Sequence, residues 1–317
     1  MDGFGVVIDG PLIVIRAIHF AATAVVAGSL VFRTAVAEPV LHREQAVAKP
    51  LRTQTVRVAW IALAIAMASG MSWLLVQASA MSGLPFAEAM TSDVLLTILN
   101  QTQFGLVFEI RIVLAIILAA CLAYDRLAPA RWLALAAALG LTAAIAWTGH
   151  AGSTVGEMGI LHLTADVLHL IAAAAWIGGL VSLAQLLAEA RRNPAHAPFA
   201  RDATRRFSTL GIAAVGTLLL TGSVNAWILV GSFSALLVTE YGQLLTLKIC
   251  LFVFMLAFAA VNRLLLTPQL VLARDSEPQL NSLRQLAHNS TAEIALGLTI
   301  YGIVGVLGTL HPAIHLL

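Results

Sequence analysis

"ILHLTADVLHLIAAAAWIGGLVSLAQLLA", residues 160–188, carries a single formal charge, Asp166, in 29 residues. As a helix rising ~1.5 Å per residue it is long enough to cross a ~30 Å hydrocarbon layer. It is too long and too apolar for an ordinary soluble helix. Yet it begins with two histidines, His162 and His169, that flank the aspartate. The reading of this stretch as a membrane span sets the fold, and its three polar residues set the question of function.

Apolar runs of this kind recur along the whole chain. Hydrophobic residues make up 60% of the sequence and charged ones 11%, and the mean hydropathy is +0.91. Such a composition excludes the ordinary soluble classes. We expect an all-α integral membrane protein with eight transmembrane helices, at about 11–36, 52–80, 104–124, 131–149, 160–188, 206–230, 243–266 and 291–311. Residues 1–317 then form a single membrane domain, with no soluble domain and no cleavable signal peptide expected. Cys121 and Cys250 both fall in apolar runs and no CxxC occurs, so neither a disulfide framework nor a zinc ribbon is expected.

Orientation follows from the cations. Fifteen of the 18 Lys and Arg residues fall in the loops after spans 1, 3, 5 and 7, and the other three loops hold none. The positive-inside rule therefore places both termini in the periplasm. Arg16, Arg111 and Lys248 lie inside spans, where a charge costs ~3 kcal/mol and needs a partner. Arg111 and Lys248 could bind an anion or a partner. A structural pairing with Glu109 or Asp166 is the expectation.

The two halves of the chain resemble each other. His19 precedes Gly28 by nine residues, as His169 precedes Gly178; Gly105 precedes Arg111 by six, as Gly242 precedes Lys248. Arg111 stands fifteen before Arg126 in "YDRL", and Lys248 fifteen before Arg263 in "VNRL"; His150 and His311 end spans 4 and 8. We expect two parallel four-helix repeats, about 11–150 and 160–315, related by an axis along the membrane normal.

Under this topology six of the nine histidines collect on the periplasmic side: His19, His150, His162, His169, His311 and His315. On span 5, His162, Asp166 and His169 share one helix face, about 3 to 14 Å deep, and Trp176 extends the stripe. Trp176 is expected to pack the core or shield the site. His42, His196 and His288 fall elsewhere and are expected to be solvated. Imidazole suits copper, zinc, nickel or iron, and a carboxylate such as Asp166 can fix the tautomer of a ligating histidine. Met67 and Met71 on one face of span 2, and Met81, Met90 and Met158 in outer loops, add thioethers, which tilt the choice toward copper.

"DVLHLIAAAAWIGGL" (166–180), "RFSTLG" (206–211), "YGQLLTLK" (241–248) and "NRLLLTPQL" (262–270) resemble the CopD/PcoD family of bacterial copper-resistance membrane proteins, and "TGHAG" (148–152) resembles the family's histidine at the outer end of span 4. The resemblance implies a multi-pass protein of the bacterial inner membrane that moves copper from the periplasm toward the cytoplasm. It also implies a periplasmic CopC-like donor, here a separate protein. Copper would be captured by His150, His162 and His311 and pass inward to His19 and His169, with Asp166 orienting a ligand and Met158, Trp176, Arg111 and Lys248 in support. No GxxxxGK[ST] motif is present, so neither ATP-driven pumping nor a nucleotide or nucleic-acid partner is expected, and no enzymatic activity is assigned. Two alternatives stand beside import. His19 and His169, level on related helices, could ligate haem b in a membrane redox protein. Or the chain could bind copper as a sensor or assembly factor without passing it.

Overall fold

A computed structural model describes residues 10–41, 45–272 and 276–315. Lipid offers backbone groups no hydrogen-bond partner, so a spanning segment must close its bonds within itself, as a helix does. Among the described residues there is no strand. Eight helices among the described residues are long and apolar enough to cross a membrane: α1 Gly10–Val40, α2 Leu51–Ser82, α3 Gln103–Ala123, α4 Ala128–Thr148, α5 Gly156–Arg192, α6 Ala197–Val230, α7 Glu240–Leu272 and α8 Glu277–Leu307.

Several helices run further than the hydropathy predicts. Helix α6 begins nine residues before the expected 206, and α8 fourteen before the expected 291. Arg201, Arg205, Arg206 and Arg284 therefore lie on helical extensions rather than in loops. Arg, Ala, Leu and Gln are good helix formers, so helical structure outlasts the apolar run that announces it. At the other end, threonines terminate the turns. Thr102 and Thr239 are N-caps whose hydroxyls each accept from a glycine N–H, of Gly105 and Gly242, at 3.0 Å.

Helices α1 and α5 form the centre of the bundle. Their apolar windows are the most buried, at 61% and 56%. Helix α1 packs against α2, α4, α5 and α8, and α5 against α6, α8, α1 and α4. The two cross at Gly28 and Gly178. A Cβ on either glycine would collide with the other helix's backbone, at Ala174 and Gly178 or at Ala24 and Gly28. Small residues let two backbones approach, and in lipid that dispersion contact is a main source of association.

The basic end of the bundle is tied by ions. Arg33 makes a paired contact with Asp125 at 2.5 and 3.0 Å, and Glu38 accepts from Arg52 at 2.6 Å and Arg131 at 3.2 Å. Cations counted from sequence as loop charges thus clamp α1, α2, α4 and the α3–α4 turn. Helix α5 (Ala174–Gly178) and α7 (Asn262–Leu266) each contain a π-helical segment, as does the end of α1 (Phe32–Ala37). Such segments are rare and cluster at functional sites.

Gly28→Leu drives a side chain into the α1–α5 crossing and is expected to cost at least about 1–3 kcal/mol. Thermal unfolding in detergent, followed by tryptophan fluorescence, should show a clearly lower midpoint. Gly211→Ala, with nothing within 4 Å of the added carbon, should leave it in place. Equal midpoints would mean that the bundle is not held at this crossing.

Candidate functional site

Between α4 and α5 the chain makes a 3₁₀ turn, His150–Ser153, and Thr154 follows it. The Thr154 hydroxyl donates to the His150 carbonyl at 3.1 Å and stands 2.8 Å from His162 Nδ1. A hydroxyl has one proton to give, so here it accepts from His162 Nδ1–H. With the hydroxyl proton on the His150 carbonyl, Nε2 of the fully buried His162 ring is its acceptor nitrogen. His150 Nε2 donates to the Leu307 carbonyl at 3.2 Å, and its ring lies edge-on to Tyr241. One hydroxyl thus ties the His150 backbone to the His162 ring. A cleft of about 860 Å³ opens at this end of the bundle, with His150, Thr154, Met158, Trp227, Gly308 and the exposed His311 in its walls.

Further along the same face of α5 lie Asp166 and His169. Asn225 of α6 donates to Asp166 at 3.1 Å, and the other amide atom of Asn225, Oδ1, is buried without a partner. His169 Nδ1 is 3.0 Å from the Thr221 hydroxyl, which itself donates to the Thr217 carbonyl at 2.7 Å. By the same reasoning His169 carries its proton on Nδ1. Lys248 of α7 acts electrostatically on both Asp166 and His169. Only 17% of the apolar window of α6 and 11% of that of α7 is buried, against 44% and 33% for α2 and α3.

His19 sits in a different setting. Nδ1 donates to the Ala66 carbonyl at 2.9 Å and also touches Ser69, and Nε2 accepts from the Arg111 guanidinium. Trp73 lies edge-on to the ring, and Gly70 and Phe104 help close a void of only about 30 Å³. Both ring nitrogens are engaged.

The comparisons with known proteins agree with one another. Residues 7–160 match the family model described as "Copper resistance protein D-like, N-terminal domain", and residues 201–307 match "Copper resistance protein D". The chain is 31% identical to "Inner membrane protein YebZ" of Escherichia coli (strain K12), over 95% of this chain and 98% of that one. The chain belongs to the copper resistance protein D family. Identity to "Copper resistance protein D" of Pseudomonas syringae pv. tomato is 28%, covering 80% of this chain and 79% of that protein. Identity to "Copper transport protein CutJ" of Bacillus subtilis (strain 168) is 40%, over 41% of this chain and 24% of that protein. No solved structure matches. The protein is a multi-pass protein of the inner membrane in a copper-handling family.

Within this family fold the expected histidines divide. His150, His162 and His311 gather at one end, and His169 lies beyond them on α5. Among the described residues, however, no three His, Cys, Asp or Glu side chains stand close enough to hold one metal ion. The haem expectation meets a geometric obstacle. His19 turns to α2 and α3 while His169 turns to α6 and α7, and Arg111 occupies the His19 nitrogen that iron would need. The two histidines do not face each other as axial ligands. Arg111 pairs with His19 rather than Glu109, which is exposed, because residues two apart on a helix point to nearly opposite sides. Trp176 leaves the histidine stripe. It lies edge-on to Phe252, with Glu293 nearby. Met67 lines the His19 void, but Met71 is exposed. His288 is exposed, His196 lies 3.8 Å from Glu189, and His42 and the His315 side chain fall outside the described residues. The sequence reading missed Thr154, Thr221, Asn225 and Ser69, because a lone hydroxyl or amide in an apolar run gives no spacing signal.

Arg111→Met removes the donor to buried His19 and is expected to destabilise the protein by about 1–3 kcal/mol. Combined with His19→Phe, the two losses should fall short of their sum by about 1 kcal/mol or more in detergent unfolding. Strict additivity would show that the pair is not coupled.

Proposed function

We propose that this protein carries copper across the inner membrane toward the cytoplasm, taking the ion at the cleft walled by His150, Met158 and His311 and handing it to His162. The observation that carries this reading is the Thr154 hydroxyl, which joins the His150 backbone to the ring of His162 and holds that ring with Nε2 as acceptor. Imidazole and thioether together suit copper better than zinc. An ion in transit needs sites that release it, and a run of one- and two-imidazole stations fits that need better than a closed three-ligand cage. Beyond His162 the lane continues past Asp166, the partnerless Oδ1 of Asn225 and His169. The copper-transport name of the Bacillus relative and the copper-resistance name of the Pseudomonas one support the cargo. A periplasmic CopC-like donor would load the cleft.

The reading includes the orientation, with both termini and the cleft periplasmic, and two parallel four-helix repeats. The asymmetry of the cations supports the first. The second is supported by reciprocal packing: α1 with α2 and α4 parallels α5 with α6 and α8, and Gly28 meets Gly178 at the axis. His19 against Ser69 and Gly70 likewise parallels His169 against Thr221 and Gly222. In that correspondence Trp73 answers Asn225 and Arg16 answers Asp166. One copy is plugged by an indole and two guanidiniums. The other is polar, and it is the copy that would conduct.

Purified protein in liposomes should accumulate copper above the leak of empty vesicles. His162→Ala should abolish most of that uptake, and Thr154→Val should weaken it about tenfold by freeing the ring. His288→Ala should match wild type. Copper bound by the wild type with no accumulation would make the protein a binder, as a sensor or assembly factor would be. A cytoplasm-dependent reporter fused after Leu317 should stay inactive, and activity there would invert the orientation.

A further inference from the structure

Glu293 is the feature the copper lane does not use. It lies near the midpoint of α8, is 1% exposed, and makes no ion pair among the described residues. A carboxylate at that depth is costly without a cation beside it. Its neighbours are neutral instead. Asn262 Nδ2 donates to Glu293 Oε1 at 2.7 Å, and the Trp176 indole lies near the carboxyl. Asn289 Nδ2 in turn donates to Asn262 Oδ1 at 2.8 Å, which fixes the sense of the Asn262 amide. Both neighbours come from π-helical segments, Ala174–Gly178 and Asn262–Leu266. Two of the three π segments thus present a side chain to one carboxyl group.

We propose that Glu293 is a proton-binding site buried between α5, α7 and α8 toward the basic end of the bundle, exchanging with water at that end. The neighbours select the ligand. A metal ion would need oxygens turned toward it, but the Asn262 amide presents its N–H here. A proton needs only one carboxyl oxygen. Binding it converts the carboxylate to a carboxylic acid, and the proton comes from and returns to water. The approach is polar. Partly exposed Asn289 leads through Asn262, and buried Ser290 lies beside them on α8. Charged groups do not compete. From α5 the facing group is Trp176 and from α7 it is Asn262, and no ionisable side chain of α1, α5 or α7 acts on the carboxyl. Arg263, next to Asn262, turns away to Ser208. Once protonated, the acid keeps an oxygen that accepts from Asn262 and gains a hydrogen to donate. An irregular π turn accommodates the adjustment more readily than a regular helix.

Infrared difference spectra of the copper-free protein, stepped through the neutral pH range, test this without reference to transport. Wild type should show a protonated-carboxyl C=O band that fades as pH rises. Glu293→Gln should lose that band and keep its thermal midpoint. If Glu293→Gln does not fold, Asn262→Leu serves in its place. Loss of one hydrogen bond should move the same band to higher frequency. A band that ignores pH, persists in Glu293→Gln, or is unmoved in Asn262→Leu would overturn the proposal. Since no copper is present, such a failure leaves the copper reading untouched, and a failure of copper uptake leaves the proton site standing.

Discussion

Hydrocarbon gives a polar side chain nothing to bond, so each one inside a span must find its partner in the protein. That constraint accounts for most of the polar architecture here. Arg16 reaches the Gly308 carbonyl and lies over the rings of Phe20 and Trp73. Arg111 donates to His19. Thr154 and Thr221 each hold one histidine by its Nδ1 proton. The Arg111–His19 and Thr221–His169 pairings each join two helices, and together with the Gly28–Gly178 contact they set which helices can be neighbours.

The same constraint divides the histidines by what their rings can still offer. A ring with both nitrogens engaged, as in His19, is a tie between helices and has no lone pair to offer a metal. A ring pinned at Nδ1 by a hydroxyl, as in His162 and His169, is oriented but keeps its acceptor nitrogen. The distinction depends on whether a guanidinium or a hydroxyl faces the ring. Trp73 and Phe104 reinforce it by sealing the His19 void.

The class of fold was legible in the sequence because long apolar runs are a direct record of the solvent. All eight spans could be placed, and the family resemblance could be read from "DVLHLIAAAAWIGGL" and "YGQLLTLK". Helix ends were less legible. The amphipathic starts of α6 and α8 carry arginines, and hydropathy stops where the charge begins although the helix does not. The site was half legible. Periodicity correctly put His162, Asp166 and His169 on one face of α5, but the partner of each ring depends on interhelical packing that no local pattern encodes. Arg111 meets His19 from 92 residues away. Glu293 went unnoticed because the expected span began at 291, which placed it at the membrane edge. It is nevertheless the one carboxylate of that apolar run, and that was the available signal.

A cation moving through a low-dielectric interior raises the energy of every other charge in the bundle unless something compensates it. The structure separates the groups suited to each task. Soft ligands stand at the histidine end, while the buried carboxyl with no ion pair stands about 21 Å along α5 from His162, level with Trp176. A carboxyl that can drop or take a proton adjusts its charge without moving a helix far, and both π segments lie beside it. On the proposed reading, copper and proton would never share a ligand. Their coupling would pass through α5, which carries His162 and His169 above and Trp176 below, and which crosses α1 at Gly178, the last residue of its π segment. A displacement of Trp176 would be felt first at that crossing, where two glycines leave the least room to absorb it.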